Sequence, residues 1–221
     1  MFGLVFDVDG VLGDTEGLSV IATTRMYEAL YGLKVQPEDF IPFIGTGAER
    51  YCIGPAEKYG VAIDVAEAVE TRHKYFMELL ADDPDISFPG IHPLIQAAHD
   101  APDWKLAIAT SSPGKKSAET LKSSRVNTDL FDAWIHGDMI AHKKPHPEIY
   151  LRAAAEIGLD PAQCVAVEDA ITGIASAKAA GMKVLAVTNS FSADQLADAD
   201  FIVDSLESVS IDTVRALLDH A

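Results

Sequence analysis

Short apolar runs recur along this chain of 221 residues, and turn-forming Gly, Pro, Asp or Ser residues bound them. Runs of this kind are typical of buried strands. Helical patterns lie between several of the runs, and this alternation predicts a parallel sheet covered by helices on both faces. The predicted strands are Phe2–Phe6, Leu106–Ala109, Trp134–His136, Cys164–Val167, Val184–Val187 and Phe201–Val203.

Three helices are predicted between the later strands. Pro147 precedes the second of them and Gly158 follows it, which is the preferred order of these residues at helix ends. The predicted helices are Ser117–Ser124, Glu148–Ile157 and Ala170–Ala180.

The stretch 15–85 interrupts this alternation. Its apolar residues recur at spacings of three and four, as in Leu18–Tyr31 and Ala66–Leu80, and it contains no clear strand pattern. We therefore predict an α/β fold, with a Rossmann-like core of residues 1–14 and 86–221 and a helical cap of residues 15–85. A helical insert after the first strand suits a lid over a site at the strand ends.

The charge balance excludes several classes of partner. The chain has 34 acidic and 17 basic residues, a net charge of −17, so nucleic acid and anionic membranes are poor partners. Cys52 and Cys164 have no metal-site spacing and indicate small buried side chains in a reducing compartment. With no leader or membrane-span pattern, we expect a cytoplasmic monomer or weak homodimer that acts on a small molecule.

Polar residues that can do chemistry follow four of the predicted strands. The carboxyl ends of parallel strands meet at one edge of a sheet, so these residues are expected to converge there. Clustered carboxylates remain ionised only with a cation between them, and a ligand set made of oxygens favours Mg²⁺. The residues are Asp7, Asp9, Thr110, Ser111, Lys144, Glu168 and Asp169.

This set of residues suits phosphoryl transfer. A carboxylate can attack phosphorus and form an aspartyl phosphate, and catalysis then depends on positioning and on charge neutralisation. Mg²⁺ and Lys144 would supply positive charge, and Thr110 would donate a hydrogen bond to a phosphoryl oxygen. Asp7 cannot act as nucleophile and proton donor at once, so Asp9 is the candidate that protonates the leaving oxygen.

Four motifs in order resemble the haloacid dehalogenase superfamily, in its phosphatase and β-phosphoglucomutase-like branch. They are DVDGV near the start, Thr110 after a second strand, Lys144-Pro145 before a helix, and Glu168-Asp169 after a fourth strand. The resemblance spans nearly the whole chain and also includes the helical cap after the first motif. DxDG at the end of an N-terminal strand is specific for this superfamily. The other three motifs are weak evidence singly, but they are strong evidence when they occur together in this order.

The resemblance implies a role for each motif residue. Asp7 would be the nucleophile, and Asp9 the general acid and base. The metal would contact Asp7, the backbone carbonyl of Asp9 and Asp169, with Glu168 nearby or also coordinating. The Pro-His-Pro segment places Lys144 in the family register.

Each motif also has a plain structural interpretation. Asp-Gly pairs are common in turns, Lys143 competes with Lys144, and Thr110 and Asp169 are possible caps of the helices that follow them. The start of a helix after Thr110 would itself favour an anion. Histidines of the second half are expected to be surface residues without a shared ligand set, namely His136, His142 and His146.

The cap offers a weaker signal. The glycine-rich stretch IGTGAERY, with Gly45, Thr46, Gly47 and Arg50, could bind a second anionic group of the substrate. The alternative is a plain turn between helices with Arg50 in solvent. The charged residues Arg72 and Lys74 are predicted to lie on an exposed helix face.

The expected function is a Mg²⁺-dependent phosphatase acting on a small phosphorylated metabolite, with a sugar phosphate as the first expectation. The alternative enzyme is a β-phosphoglucomutase-type isomerase. Mutases of the branch carry a histidine in the first cap helix, where this sequence has Ser19, and this departure favours hydrolysis. A third interpretation is a catalytically silent binding protein on the same fold, against which the intact motif set argues.

Overall fold

The computed structural model describes residues 1–44, 48–82 and 84–219. The chain divides into two compact units, which we call the core unit, Met1–Asp14 with Asp85–Ala221, and the cap unit, Thr15–Pro84. The domain limits predicted from the sequence, 1–14 with 86–221 and 15–85, remain a proposal about which segments act as functional domains.

A six-stranded parallel sheet forms the centre of the core unit, which confirms the predicted α/β class. The strand order is β3-β2-β1-β4-β5-β6, so the chain builds outward from β1 in one direction and then in the other. Such a reversal creates a crevice at the carboxyl ends of the central strands. The strands are β1 Phe2–Phe6, β2 Trp104–Ala109, β3 Ala133–Ile135, β4 Cys164–Glu168, β5 Lys183–Val187 and β6 Phe201–Val203.

The strands separate the apolar core of this unit into two layers. Leu4 and Phe6 belong to one apolar cluster and Val5 to the other, because successive side chains of a strand point to opposite faces. Both faces are therefore covered by helices, as the continuous apolar runs predicted. One layer contains residues of α4 Ile91–Asp100, α5 Gly114–Ser123 and α8 Ile211–Asp219, and the other contains residues of α6 Glu148–Glu156 and α7 Ile171–Ala179.

The observed elements differ from the predicted ones mainly at their ends. β2 begins two residues before the predicted start because Lys105, which interrupts the apolar run, still pairs with Gly3. β3 ends before His136. α5 begins at Gly114, three residues before the predicted start, since its polar first turn carries no apolar periodicity.

The cap unit is built from three helices and a short 3-10 segment, Pro37–Phe43. Its own apolar cluster includes Met26, Tyr27, Phe40 and Cys52. Among its described residues, 15–44, 48–82 and 84, no strand is present, as predicted. The helices are α1 Thr15–Tyr31, α2 Ala48–Tyr59 and α3 Val65–Ala81.

No helix in the described segments of the chain combines the length and the apolar character that a membrane crossing requires.

Candidate active site

The turn after β1 brings the first motif to the edge of the sheet. The backbone N–H of Asp7 donates to the carbonyl of Val167 at 3.1 Å, so Asp7 continues the pairing of β1 with β4 by one residue. Gly10 follows with φ of +84°, and a Cβ built there would lie 1.8 Å from Oδ2 of Asp169. Asn189 Nδ2 also donates to the Gly10 carbonyl at 2.8 Å. The glycine of DVDG therefore allows this turn to pack directly against Asp169.

Lys144 connects the ends of three strands. Its Nζ donates to Asp7 Oδ1 at 2.7 Å, to Glu168 Oε1 at 2.7 Å and to the Ala109 carbonyl at 3.2 Å. The ammonium also lies 4.9 Å from the centroid of the Tyr150 ring. All three protons of the ammonium thus have an acceptor, which fixes the position of its charge.

Both oxygens of Glu168 already have donors from the protein. Oε1 accepts from Tyr150 Oη at 2.6 Å as well as from Lys144, and Oε2 accepts from the amides of Asp169 and Ala170 at 3.1 and 3.3 Å. A Cβ on Gly173 would lie 2.0 Å from this carboxylate. The glycine in α7 therefore makes room for Glu168, and the contacts suit a side chain that positions Lys144.

Asp7, Glu168 and Asp169 form a buried acidic cluster, with one oxygen of each within 4.8 Å of the others. Burial raises the pKa of Asp7 to about 7 although Lys144 opposes this shift, and burial together with the charge of Glu168 raises the pKa of Asp169 well above its ordinary value. Among the described residues, one ammonium, that of Lys144, pairs with the cluster, and it contacts two of the three carboxylates, Asp7 and Glu168. Full ionisation therefore leaves two negative charges, which one divalent cation would balance.

The same cluster shifts the pKa values of Lys144 and Tyr150, which contact it. Burial alone would lower the pKa of Lys144, but the charges of Asp7 and Glu168 outweigh it and the net shift is upward. Burial and Glu168 raise the pKa of the Tyr150 hydroxyl. Lys144 is therefore a permanent cation, and Tyr150 remains a hydrogen-bond donor.

Asp9 has partners of its own on the segment after β2. Oδ2 accepts from Ser112 Oγ at 2.6 Å, and Oδ1 accepts from Lys116 Nζ at 2.6 Å. Lys116 also donates to Ser112 Oγ at 3.1 Å, one helical turn back. These contacts orient the Asp9 carboxyl group toward the segment after β2.

Thr110 and Ser111 lie at the end of β2, as predicted. The Thr110 hydroxyl is buried and accepts from the backbone N–H of Ser112 at 3.1 Å. It therefore supports the turn before α5, whose N-cap is Pro113, and does not cap the helix itself. Ser111 Oγ is buried and has no partner within the described part of the chain.

Four side chains of this site were missed by the sequence analysis: Ser112, Lys116, Tyr150 and Ser190. Ser190 Oγ donates to Asp169 Oδ2 from the segment after β5. Lys116 and Tyr150 lie within or shortly after motifs that were identified, but only their tertiary contacts distinguish them from surface or core residues. Ser190 has no comparable signal in the sequence.

The predicted anion-binding residues of the cap have a different status. Gly45, Thr46 and Gly47 lie outside the described residues. Arg50 pairs with Glu57 at 2.8 Å and its guanidinium lies 4.8 Å from the Phe43 ring centroid, so its role in substrate binding stays a prediction.

The prediction that Arg72 lies on a plain exposed face was wrong. Arg72 Nε donates to the buried Thr23 hydroxyl at 2.9 Å, and the guanidinium lies 5.0 Å from the ring centroid of Tyr51. A long side chain with an apolar stem can pack inward even when helical periodicity places it among charged neighbours. Lys74, by contrast, is exposed and lies 4.0 Å from Glu78.

The prediction that His136, His142 and His146 share no ligand set stays a prediction, but two of these histidines lie close together. His142 and His146 lie beside Glu148, and one possible ligand atom of each lies within 4.8 Å of the others. The spacing of these residues in the sequence does not indicate a shared site. They come together because the loop before α6 folds back onto Glu148, the first residue of that helix.

The sheet edge defines a class of protein: an α/β enzyme with a buried, lysine-bridged aspartate cluster at the carboxyl end of its central strands. The family model described as haloacid dehalogenase-like hydrolase matches residues 4–187. The chain belongs to this family, and its enzyme class is that of the phosphoric monoester hydrolases.

Named relatives support the assignment along the whole chain. Protein CbbY of Rhodobacter capsulatus is 31% identical, and the match covers 97% of each chain. The phosphorylated carbohydrates phosphatase of Thermotoga maritima is 31% identical over 83% of each. Protein SUPPRESSOR OF QUENCHING 1, chloroplastic, of Arabidopsis thaliana is 33% identical over 96% of this chain, which spans only 20% of that longer protein.

A solved structure shows the same fold. CbbY from Rhodobacter sphaeroides, crystallised as a mutant in complex with xylulose-(1,5)bisphosphate, superposes with a TM-score of 0.80 at 27% identity. The superposition covers 96% of this chain and 99% of that chain.

Proposed function

We propose that this protein is a Mg²⁺-dependent phosphatase of a small phosphorylated metabolite, which acts through an aspartyl phosphate on Asp7. One observation carries the proposal: Lys144 holds the Asp7 carboxyl group within a buried cluster that would carry two surplus negative charges when fully ionised. Such a cluster suits a divalent cation and a dianionic phosphoryl group that approaches it.

The donor set fits Mg²⁺. Oxygens of Asp7 and Asp169 and the backbone carbonyl of Asp9 would hold the ion, which prefers hard oxygen ligands. Glu168 has donors on both oxygens, so we assign it the positioning of Lys144 in place of direct coordination. When bound, the cation would neutralise charge on the transferring phosphoryl group.

In the first step, one carboxylate oxygen of Asp7 attacks phosphorus, and the bond from phosphorus to the substrate oxygen breaks. Lys144 stabilises the charge on the phosphoryl oxygens, and the hydroxyls of Thr110 and Ser111 are the candidate neutral donors to the same oxygens. Asp9 gives a proton to the leaving oxygen. This acid role requires Asp9 to be released from Lys116, whose ammonium favours the ionised form.

In the second step, water attacks the aspartyl phosphate. Asp9, now a carboxylate, takes a proton from the water, and the bond between phosphorus and the Asp7 oxygen breaks to release inorganic phosphate. The contacts with Ser112 and Lys116 hold Asp9 in this basic form. The cycle ends with Asp7 and Asp9 in their starting states.

Two relatives support a substrate class. One relative is named as a phosphatase of phosphorylated carbohydrates, and the CbbY structure contains a sugar bisphosphate. We propose a sugar phosphate for this chain, with 15–85 as a helical cap domain and Gly45, Thr46, Gly47 and Arg50 as candidates for substrate contact. We also propose a cytoplasmic location and a monomer or weak homodimer.

The experiment measures phosphate release from a panel of sugar phosphates and an aryl phosphate, with Mg²⁺ or with excess chelator. We expect turnover with Mg²⁺ only, and an acid-quenched reaction should contain a phosphorylated peptide that includes Asp7. Incubation with β-glucose 1-phosphate, with and without the 1,6-bisphosphate, tests the mutase alternative. Bisphosphate-dependent formation of glucose 6-phosphate would replace hydrolysis with isomerisation, and full activity in chelator would remove Mg²⁺ from the mechanism.

A further inference from the structure

A second group of possible metal ligands lies on the loop before α6, apart from the acidic cluster. It consists of His142, His146 and Glu148, and one ligand atom of each lies within 4.8 Å of the others. The two imidazole rings are 4.5 Å apart between centroids and are inclined by 32°. Two imidazoles and a carboxylate form a different donor set from the oxygen ligands of the cluster around Asp7.

Glu148 is fixed in place before any ion binds. Its Oε1 accepts from the backbone N–H of Ala141 at 3.0 Å, and its Oε2 accepts from that of His142 at 2.9 Å. The backbone N–H of Ala141, together with the donors of His142, lowers the pKa of Glu148 to about 2. The carboxylate is therefore ionised throughout the physiological range and needs no rearrangement to bind a cation.

The imidazoles are close to the positions that a small ion requires. His142 Nδ1 lies 3.0 Å from Glu148 Oε2, whereas two ligands of a tetrahedral Zn²⁺ lie about 3.3 Å apart. His146 Nδ1 accepts from the backbone N–H of Glu148 at 3.2 Å, and an ion would displace this long hydrogen bond to reach the lone pair. An ion would replace the proton between His142 and Glu148, and the gap would open by a few tenths of an ångström.

We infer that His142, His146 and Glu148 form a second metal site, selective for a transition-metal ion of the Zn²⁺ class over Mg²⁺. Imidazole nitrogen is a good ligand for Zn²⁺, Cu²⁺ and Ni²⁺, whereas Mg²⁺ prefers oxygen and gives up its water reluctantly. The side chain of His142 is 65% exposed, so an ion can enter from solvent, and water would complete the coordination. The site brackets Lys144 in sequence and therefore lies on the loop that carries the lysine of the active site.

The test is a calorimetric titration of the whole protein with Zn²⁺ in the presence of excess Mg²⁺, which occupies the acidic cluster. We expect one Zn²⁺ per chain, and His142→Ala should weaken its binding at least about tenfold because a direct ligand is lost. His92→Ala is the matched control, since His92 is exposed on α4 and distant in sequence from the site. This control should bind Zn²⁺ as the unsubstituted protein does.

A second readout identifies the ligands without relying on a substitution. In proton NMR spectra, Zn²⁺ should shift the ring resonances of two histidines only, and His142→Asn and His146→Asn should each remove one of them. Zn²⁺ binding that survives His142→Ala, or that is lost in Asp169→Asn but not in His142→Ala, would overturn the inference. So would the absence of binding at millimolar Zn²⁺.

Discussion

Asp39 in the cap unit and Asp7 in the core unit are both buried aspartates, yet their pKa values are shifted in opposite directions. Burial alone would raise both. In Asp39 the donors Lys58, the Gln36 backbone N–H and Tyr59 outweigh burial, and the net shift is downward. In Asp7 burial prevails over Lys144, and the pKa is raised to about 7.

The number of donors per carboxylate explains the difference. Asp39 accepts from Tyr59 Oη at 2.7 Å, from the Gln36 N–H at 2.8 Å and from the ammonium of Lys58. Asp7 shares its ammonium with Glu168 and has further carboxylates nearby. A buried acid with its own donors stabilises the fold, whereas a buried acid in surplus is available for a ligand and for chemistry.

Of the substitutions that test this comparison, replacement of the nucleophile should have the largest effect, and the effect is on the rate of phosphate release. Asp7→Asn should lower phosphate release by at least about a thousandfold, because an amide does not form the acyl phosphate. Steady-state turnover of an aryl phosphate with Mg²⁺ measures this loss, and circular dichroism checks the fold. Activity within about tenfold of the unsubstituted protein, with a native spectrum, would show that Asp7 is not the nucleophile.

Lys144→Ala should have the next largest effect. Removal of one preorganised cation from the phosphoryl group should cost about a hundredfold in kcat/KM. Lys143→Ala is the matched control, since it removes the adjacent ammonium, and it should change kcat/KM by less than about threefold. Equal losses in the two variants would contradict the assignment of Lys144.

The surplus charge predicts an unusual dependence of stability on pH. The folded pKa of Asp7, about 7, lies above its unfolded value of about 3.9, so folding binds a proton between these values. Without metal, stability should therefore be highest below about pH 4 as far as this group is concerned, and should fall by a few kcal/mol as pH rises through 7.

Urea unfolding in chelator at pH 5.5 and pH 8 measures this fall, and added Mg²⁺ should stabilise the protein more at pH 8 because it binds the ionised cluster. Asp7→Asn should reduce the slope. If the free energy of unfolding depends on pH in this variant as it does in the unsubstituted protein, Asp7 is not the group whose ionisation destabilises the fold.

The sequence predicted the parallel sheet, the helical insert and the convergence of Asp7, Lys144 and Asp169, because apolar periodicity and strand order determine them. It did not predict that Lys116 contacts Asp9 or that Tyr150 contacts Glu168. Such contacts depend on the rotation of each helix and on the direction of each side chain. Apolar periodicity shows which face of a helix is buried, but it does not give these finer details. The sheet edge could thus be assigned from sequence, whereas the hydrogen bonds that hold its side chains could not.

A stability measurement sharpens the contrast between the two aspartates. Asp39→Asn should destabilise the protein by about 1 to 3 kcal/mol, because an amide loses the ion pair with Lys58 and leaves a donor without its acceptor. Asp7→Asn, in chelator at pH 8, should leave stability unchanged or increase it. Urea unfolding of both variants gives the comparison, and equal destabilisation would refute the distinction between a satisfied and a surplus acid.

The smallest expected effect comes from two tyrosines with the same kind of contact. Tyr59 donates to Asp39 at 2.7 Å and Tyr150 donates to Glu168 at 2.6 Å. Each Tyr→Phe substitution removes one hydrogen bond to a carboxylate and should lower stability, by about 1 to 2 kcal/mol for the buried Tyr150 and by less for the exposed Tyr59. Only Tyr150→Phe should also lower kcat, by about threefold to tenfold, because Glu168 then holds Lys144 less firmly. Stability and kcat measured on both variants separate the two roles, and a fall in kcat for Tyr59→Phe of the same size would show that loss of stability alone accounts for the effect.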